Sequence, residues 1–281
     1  MIEIVNQGIG SSFQDLGRVG YKHLGVGRSG AADRPSHSLA NRLVGNPESM
    51  ATIETCGGLC VRLHRHATVV VTGAHGTIDV RHGPPMAVNG NAHLPAGAEI
   101  TLRSPHDGLR YYLAVRGGFD VAPVLGSCSL DTLAAIGPRL SSGDRFGIGP
   151  DPNTSLVADF GIPSPRSSLL QISEGPRRDW FTDDAWTILT TQAFVVSAAS
   201  NRVGARLTGP SLERRHHRQL PSEGLVEGAI EVPPDGQPIV MLADCPVTGG
   251  YPVIAVVDRD HLPSVAQARP GTTLRFRHSG G

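Results

Sequence analysis

Arg202 and Asp244 are the two charged residues with the most chemistry to offer. Each flanks a short apolar run, which places it at a strand end where an unpaired charge is expensive. They must pair with each other or be held for a charged ligand. Around them, from Ser200 to Pro252, the chain sets further polar groups at turns: Asn201, Ser222, Glu223, Gln237, Thr248 and Tyr251. Gly204, Gly249 and Gly250 beside them leave room for a ligand to approach the backbone. Glycine and proline recur every few residues, and the runs 229–232 and 238–243 have the length of buried strands. A rigid scaffold that presents polar side chains from strand ends is a common way to build a binding site. Taken singly, each of these residues also reads as a turn or cap residue of a β-domain.

A second polar stretch lies near the start. A strand over residues 2–5 leads into a long glycine-rich segment carrying Gln14, Asp15, Arg18, Ser29 and Asp33. Gly8-Ile9-Gly10 invites comparison with a dinucleotide-binding turn. Phe13 stands where the third glycine should be, and Gly17 and Gly20 would break the following helix. The segment is too long for a plain turn and reads as an ordered functional loop. Its alternative is an arm over the open end of a barrel, with Asp15 and Arg18 paired internally. Both polar stretches lack a packing explanation. The expectation is that Gln14, Asp15, Arg18 and Asp33 converge with Arg202, Glu223, Gln237, Asp244 and Tyr251.

The elements that must hold these residues are mostly strands. One helix starts at Asp33 as N-cap with Pro35 in its first turn. Leu39, Leu43 and Val44 share a face of it, and Gly45-Asn46-Pro47 ends it. Strands are expected over 52–55, 59–63, 68–72, 77–80, 98–102 and 110–115, with Val69-Val70-Val71 central. A Pro- and Ser-rich seam at 150–165 separates the halves, giving domains 1–157 and 158–281. Beyond it come strands over 169–172, 194–197 and 272–276, a helix opening at Thr182, and one over 260–266. Arg116-Gly117-Gly118-Phe119 and Thr248-Gly249-Gly250-Tyr251 each follow a strand, a trace of shared architecture between the halves.

Composition narrows the function classes. Among 281 residues, Lys plus Arg and Asp plus Glu are both 25, so charge argues for neither nucleic acid nor an acidic membrane. Lys22 is the single lysine. It lies in no P-loop, it lacks the methionine flanks of a biotin-carrier site, and a pyridoxal Schiff base would have to use it. Cys56 and Cys60 have no second pair at zinc-ligand spacing, and Cys128 and Cys245 stand alone. Free thiols are expected, with no secretory pattern and no apolar run of spanning length. His64 and His66 flank Arg65 in a turn and read as solvent-exposed side chains rather than metal ligands. The chain is expected to be soluble and cytoplasmic, with no metal site of its own.

Several long motifs in fixed order carry a resemblance: QDLGRVGYKHLGVGRSGAADR and LANRLVGNPES early, YYLAVRGGFDVAPVLGS in the middle, then SNRVGARLTGP, SEG, VPPDGQPIVMLAD and TGGYPVIAVV. On these, spanning nearly the whole chain, it resembles the allophanate-hydrolase subunit 2 family. That family includes the C component of bacterial ATP-dependent 5-oxoprolinase, the sporulation regulator KipA, and half of the carboxyltransferase domain of urea carboxylase. The pattern is departed from at two places. Pro246-Val247 replaces Gln-Thr, and Glu231 replaces a Gln.

The resemblance implies a mainly β fold, two cyclophilin-like β-barrel halves with a few short helices. It also implies a subunit 1 partner (the B component, KipI-like) and, for 5-oxoprolinase, a third chain, the A component. Within an ATP-driven amide hydrolase, Arg18 and Arg202 can clamp oxyanions. The N–H groups of Gly249 and Gly250 can form an anion nest. Asp244 or Glu223 can orient water or hold Mg²⁺ for ATP. On this reading Arg202, Glu223 and Asp244 are catalytic; Gln14, Asp15, Arg18, Asp33, Gln237, Thr248, Gly249, Gly250 and Tyr251 bind the small amide substrate. Two alternatives share the fold: a carboxyltransferase half, with biotin carried on another chain, and a non-enzymatic KipA-like protein that binds a kinase inhibitor.

Overall fold

The computed structural model describes residues 1–156, 158–216 and 218–280. They fall into two compact units. The first comprises Met1–Arg18, Ser29–Asp131 and Ala135–Ser164; the second comprises Val19–Arg28, Thr132–Ala134 and Pro165–Gly281. The division expected at residue 157 falls on Val157, which lies outside the described residues. Strands dominate both units, and the helices are few and short, as the sequence pattern implies.

The first unit faces two antiparallel sheets across a common core. One runs in the order Ser12–Gln14, Thr52–Thr55, Asp107–Val115, Ala67–His75, Asn91–Leu94. The other runs Phe119–Asp120, Arg145–Ile148, Ile2–Asn6, Cys60–Leu63, Glu99–Leu102, Ile78–Arg81. Side chains alternate along a strand, which explains the unbroken Val69-Val70-Val71. Val69 and Val71 enter the core with Ile4, Phe13, Ile53, Val61, Ile100 and Leu113. Val70 points the other way and packs with Tyr112 and Ala114 against Ala40, Leu43 and Val44. Those last residues belong to helix α1 (Arg34–Leu43) and its C-cap. Asp33 caps α1 by accepting from the Ser36 N–H, with Pro35 in the first turn.

The second unit is a closed barrel. Its strands follow the order Leu169–Glu174, Val253–Val257, Ala229–Glu231, Ile239–Met241, Gly204–Thr208, Ala193–Val196, Thr273–His278. Parallel pairing of the last with the first closes the ring, at Leu169 opposite Arg275. Leu170, Ile172, Phe194, Leu207, Ile230, Val240, Ile254, Leu274 and Phe276 contribute to its core, joined by Ala185 and Leu189 of helix α2 (Asp183–Thr191). Because Ile230 points into that core, its neighbours Ala229 and Glu231 face outward. Outside the barrel wall a satellite cluster gathers Leu225, Ala229, Ile239, Met241 and Val253. A two-stranded ladder, Glu223–Gly224 against Thr248–Gly249, is built beside it. Helix α3 (Leu262–Ala266) precedes the closing strand.

Candidate functional site

Arg202 and Asp244 pair with each other. The guanidinium donates from Nε to Oδ2 at 2.9 Å and from Nη2 to Oδ1 at 2.9 Å. Thr132 adds its N–H at 2.9 Å and its hydroxyl at 2.7 Å to the same carboxylate. The Asp244 side chain is fully buried and that of Arg202 is 8 % exposed. Such a forked, desolvated pair clasps the two turns that carry it. Of the two alternatives set by the strand-end placement, mutual pairing is the one the geometry displays.

The other polar groups of the second unit are engaged locally. Glu223 takes a two-pronged bond from Arg177, with Nε to Oε2 at 2.9 Å and Nη2 to Oε1. That bond holds the Glu223 carboxyl below its ordinary pKa. Gln237 is locked to Gly209, accepting from its N–H at 2.9 Å and donating to its carbonyl at 3.2 Å. Tyr251 is exposed. The anion nest expected at Gly249 and Gly250 is not formed. Neither glycine adopts positive φ, as a nest of alternating hand requires, and Gly249 is paired in register with Glu223.

Glu231 was legible in the sequence only as a departure from a pattern. Here it is 4 % exposed, and its Oε1 has no hydrogen-bond partner among the described residues. A Cβ added to Gly249 would stand 2.2 Å from that oxygen, so glycine is what lets the ladder lie over the carboxyl. Burial pushes the Glu231 carboxyl above its ordinary pKa, only partly offset by the Tyr251 backbone N–H.

In the first unit, Asp15 and Arg18 are each tied to a neighbouring loop. Asp15 Oδ1 accepts from the Ser127 and Ser129 hydroxyls at 2.7 and 2.6 Å, and Oδ2 from the Cys128 N–H at 2.6 Å. Arg18 Nη2 donates to the Ser129 carbonyl, while Gln14 Nε2 donates to the next carbonyl, Leu130, at 3.0 Å. Both side chains are buried: Arg18 is 2 % exposed and Gln14 not at all. Arg18 Nε and Nη1 and Gln14 Oε1 nevertheless have no partner among the described residues. Asp33, the fourth residue of this group, serves as the cap of α1; the hydroxyl of Ser36 also donates to it, at 2.7 Å. Beside it, Tyr112 donates to Glu54 at 2.8 Å and accepts from the Asp33 N–H at 2.8 Å. That buried network, like the serines at 127 and 129, carried no signal in the sequence, since its members pair across strands far apart in the chain.

Among the described residues no three His, Cys, Asp or Glu side chains group to hold a metal ion. His64 bonds Glu3 Oε2 at 2.7 Å. No helix is long and apolar enough to cross a membrane. The cysteines at 56, 60, 128 and 245 are free thiols.

Residues 24–278 match the model of the carboxyltransferase domain, subdomain A and B. The chain is 35 % identical to the C subunit of the 5-oxoprolinase of Escherichia coli, over 98 % of this chain and 90 % of that one. It is 31 % identical to the urea amidolyase of Saccharomyces cerevisiae over 98 % of its own length, but spans only 16 % of that protein. Among solved structures, that of TTHA0988 superposes with a TM-score of 0.88 at 33 % identity, covering 98 % of this chain and 55 % of that one.

Proposed function

This chain belongs to the carboxyltransferase-domain family, subdomain A and B, and we propose that it is one subunit of a heteromeric, ATP-dependent amide hydrolase. The reaction assigned to the complex is that of a 5-oxoprolinase: 5-oxoproline, ATP and water become glutamate, ADP and phosphate. The similarity to a 5-oxoprolinase C subunit over nearly the full length of both chains supports this reading. The observation that carries it is the set of unmet polar atoms on the N-terminal segment. Each unmet buried donor or acceptor costs about 1–3 kcal/mol, and buried polar groups in native proteins are nearly always partnered. Arg18 offers two such N–H donors and Gln14 one carbonyl acceptor, held on adjacent carbonyls of one loop. Donors for an oxyanion beside an acceptor for an N–H complement a lactam acid.

Opening a lactam breaks its C–N bond. Transfer of the ATP γ-phosphoryl group to the amide oxygen activates the carbonyl carbon, and water adds there. The ring nitrogen leaves carrying a proton, and a further water releases phosphate from the acyl phosphate that remains. Positioning and charge neutralisation dominate such chemistry. Arg18 neutralises an oxyanion and Gln14 orients the ring N–H. The carboxylates of Asp244 and Glu223 are filled by Arg202, Thr132 and Arg177 and do not fit Mg²⁺, so the nucleotide and its metal are assigned to the partner A and B components.

The experiment is reconstitution with those two partners. The isolated chain should be inert toward 5-oxoproline and ATP, and the complex active. Gln14→Leu and Arg18→Gln in the complex should each lower kcat/KM about 10- to 100-fold, with Arg18→Lys intermediate. Robust turnover by the chain alone, or unchanged kcat/KM in these variants, would overturn the proposal. The similarity to urea amidolyase supports a second reading, a carboxyltransferase half acting with carboxybiotin on another chain. Carboxylation of urea by the reconstituted complex, without 5-oxoproline hydrolysis, would select it.

A further inference from the structure

A cavity of about 210 Å³ in the second unit is lined by Ser211, Leu212, Glu213, Arg214, Pro234 and Gly236. It is smaller than the roughly 300–1,000 Å³ of sites for drug-sized ligands, so it suits a small molecule. Its wall holds a cation whose situation differs from that of its neighbours. Arg177, Arg178 and Arg215 each pair with a carboxylate, that of Glu223 or Asp183. Arg214 makes no ion pair among the described residues. Its Nη2 donates to the Val232 carbonyl, and its Nε is buried without a partner. Burial lowers its pKa; Tyr251 and Asp235 act on it only through space.

A half-buried guanidinium without a counter-ion, one of its N–H groups unmet, is unfavourable, and its planar fork matches a carboxylate or phosphoryl group. We propose that this cavity binds a small carboxylate, held by Arg214. One guanidinium balances one negative charge. A phosphate dianion would leave an excess charge facing Glu213 across the same cavity. The proposal does not depend on the amide-hydrolase reading.

The test uses the full chain and NMR of the Arg214 Nε–Hε group, titrated with acetate, propionate and inorganic phosphate at constant ionic strength. Acetate and propionate should shift that resonance saturably. By calorimetry, Arg214→Lys should bind acetate about tenfold more weakly, Arg214→Gln should lose binding, and Glu213→Gln should gain severalfold by removing a like charge. Absence of a saturable shift, acetate binding that survives in Arg214→Gln, or a response to phosphate without one to carboxylates would each overturn the assignment. Because Arg214→Lys keeps the charge while Arg214→Gln removes it, a folding defect common to both is separable from loss of the ligand.

Discussion

At the residue scale, the side chains divide by whether their hydrogen-bonding capacity is spent. Asp15, Asp33, Glu223, Gln237 and the Arg202–Asp244 pair spend theirs on the fold. Arg18, Gln14 and Arg214 spend only part of theirs, each keeping at least one buried polar atom unmet among the described residues. Arg202→Ala would strip a fully buried carboxylate of its counter-charge and should cost about 3–5 kcal/mol, read as a lower denaturation midpoint with the slope unchanged. Arg202→Lys should fall between, since a point charge cannot reproduce the fork. A loss under about 1 kcal/mol would show that Asp244 is stabilised by something other than this pair.

At the element scale, the loop 127–137 is what gives the N-terminal segment its shape. It supplies the hydroxyls for Asp15 and the carbonyls for Gln14 and Arg18. The loop folds back on itself at Gly137, whose φ is 122° and whose added Cβ would lie 2.2 Å from the Ser129 carbonyl oxygen. That oxygen is backbone and also Arg18's acceptor, so it cannot swing aside. Gly137→Ala should therefore cost about 3 kcal/mol and, in the assembled complex, depress kcat/KM as Arg18→Gln does. A variant with wild-type melting temperature and activity would refute this account of the loop.

At the scale of the whole molecule, the two units should respond to pH in opposite directions. His37 is buried in the first, bonded to Thr52 and to the Glu48 carbonyl, and burial lowers its pKa. The folded unit thus resists a proton that the unfolded chain accepts, and stability is lost as pH falls below about 6.5. Glu231 in the second unit has its pKa raised by burial. There the folded state keeps a proton that the unfolded chain releases, so stability is lost as pH climbs from the ordinary carboxyl range through the raised value. Both tryptophans, Trp180 and Trp186, lie in the second unit, so fluorescence-detected unfolding should report the loss on rising pH. Hydrogen exchange at Val69–Val71 should report the acidic one. His37→Gln should flatten only the loss on falling pH and Glu231→Gln only the loss on rising pH; parallel pH profiles in the two units would contradict the scheme.

Local pattern was enough for much of this molecule. The strands, the Asp33 cap and the helix it opens are short-range consequences of alternation, capping and turn chemistry. Motif order was enough for the family, because long runs in fixed sequence are hard to match by chance. The fate of each polar side chain was decided only by tertiary structure. Arg202 and Asp244 had two possible uses until the barrel brought their turns together. Glu223 could not be matched to Arg177, 46 positions away, nor could Glu231 be seen to lie beneath Gly249. Whether a buried donor is met depends on which distant carbonyl or carboxylate the fold delivers to it. That pairing is non-local, and it separates Arg214 from Arg215, the residue next to it in sequence.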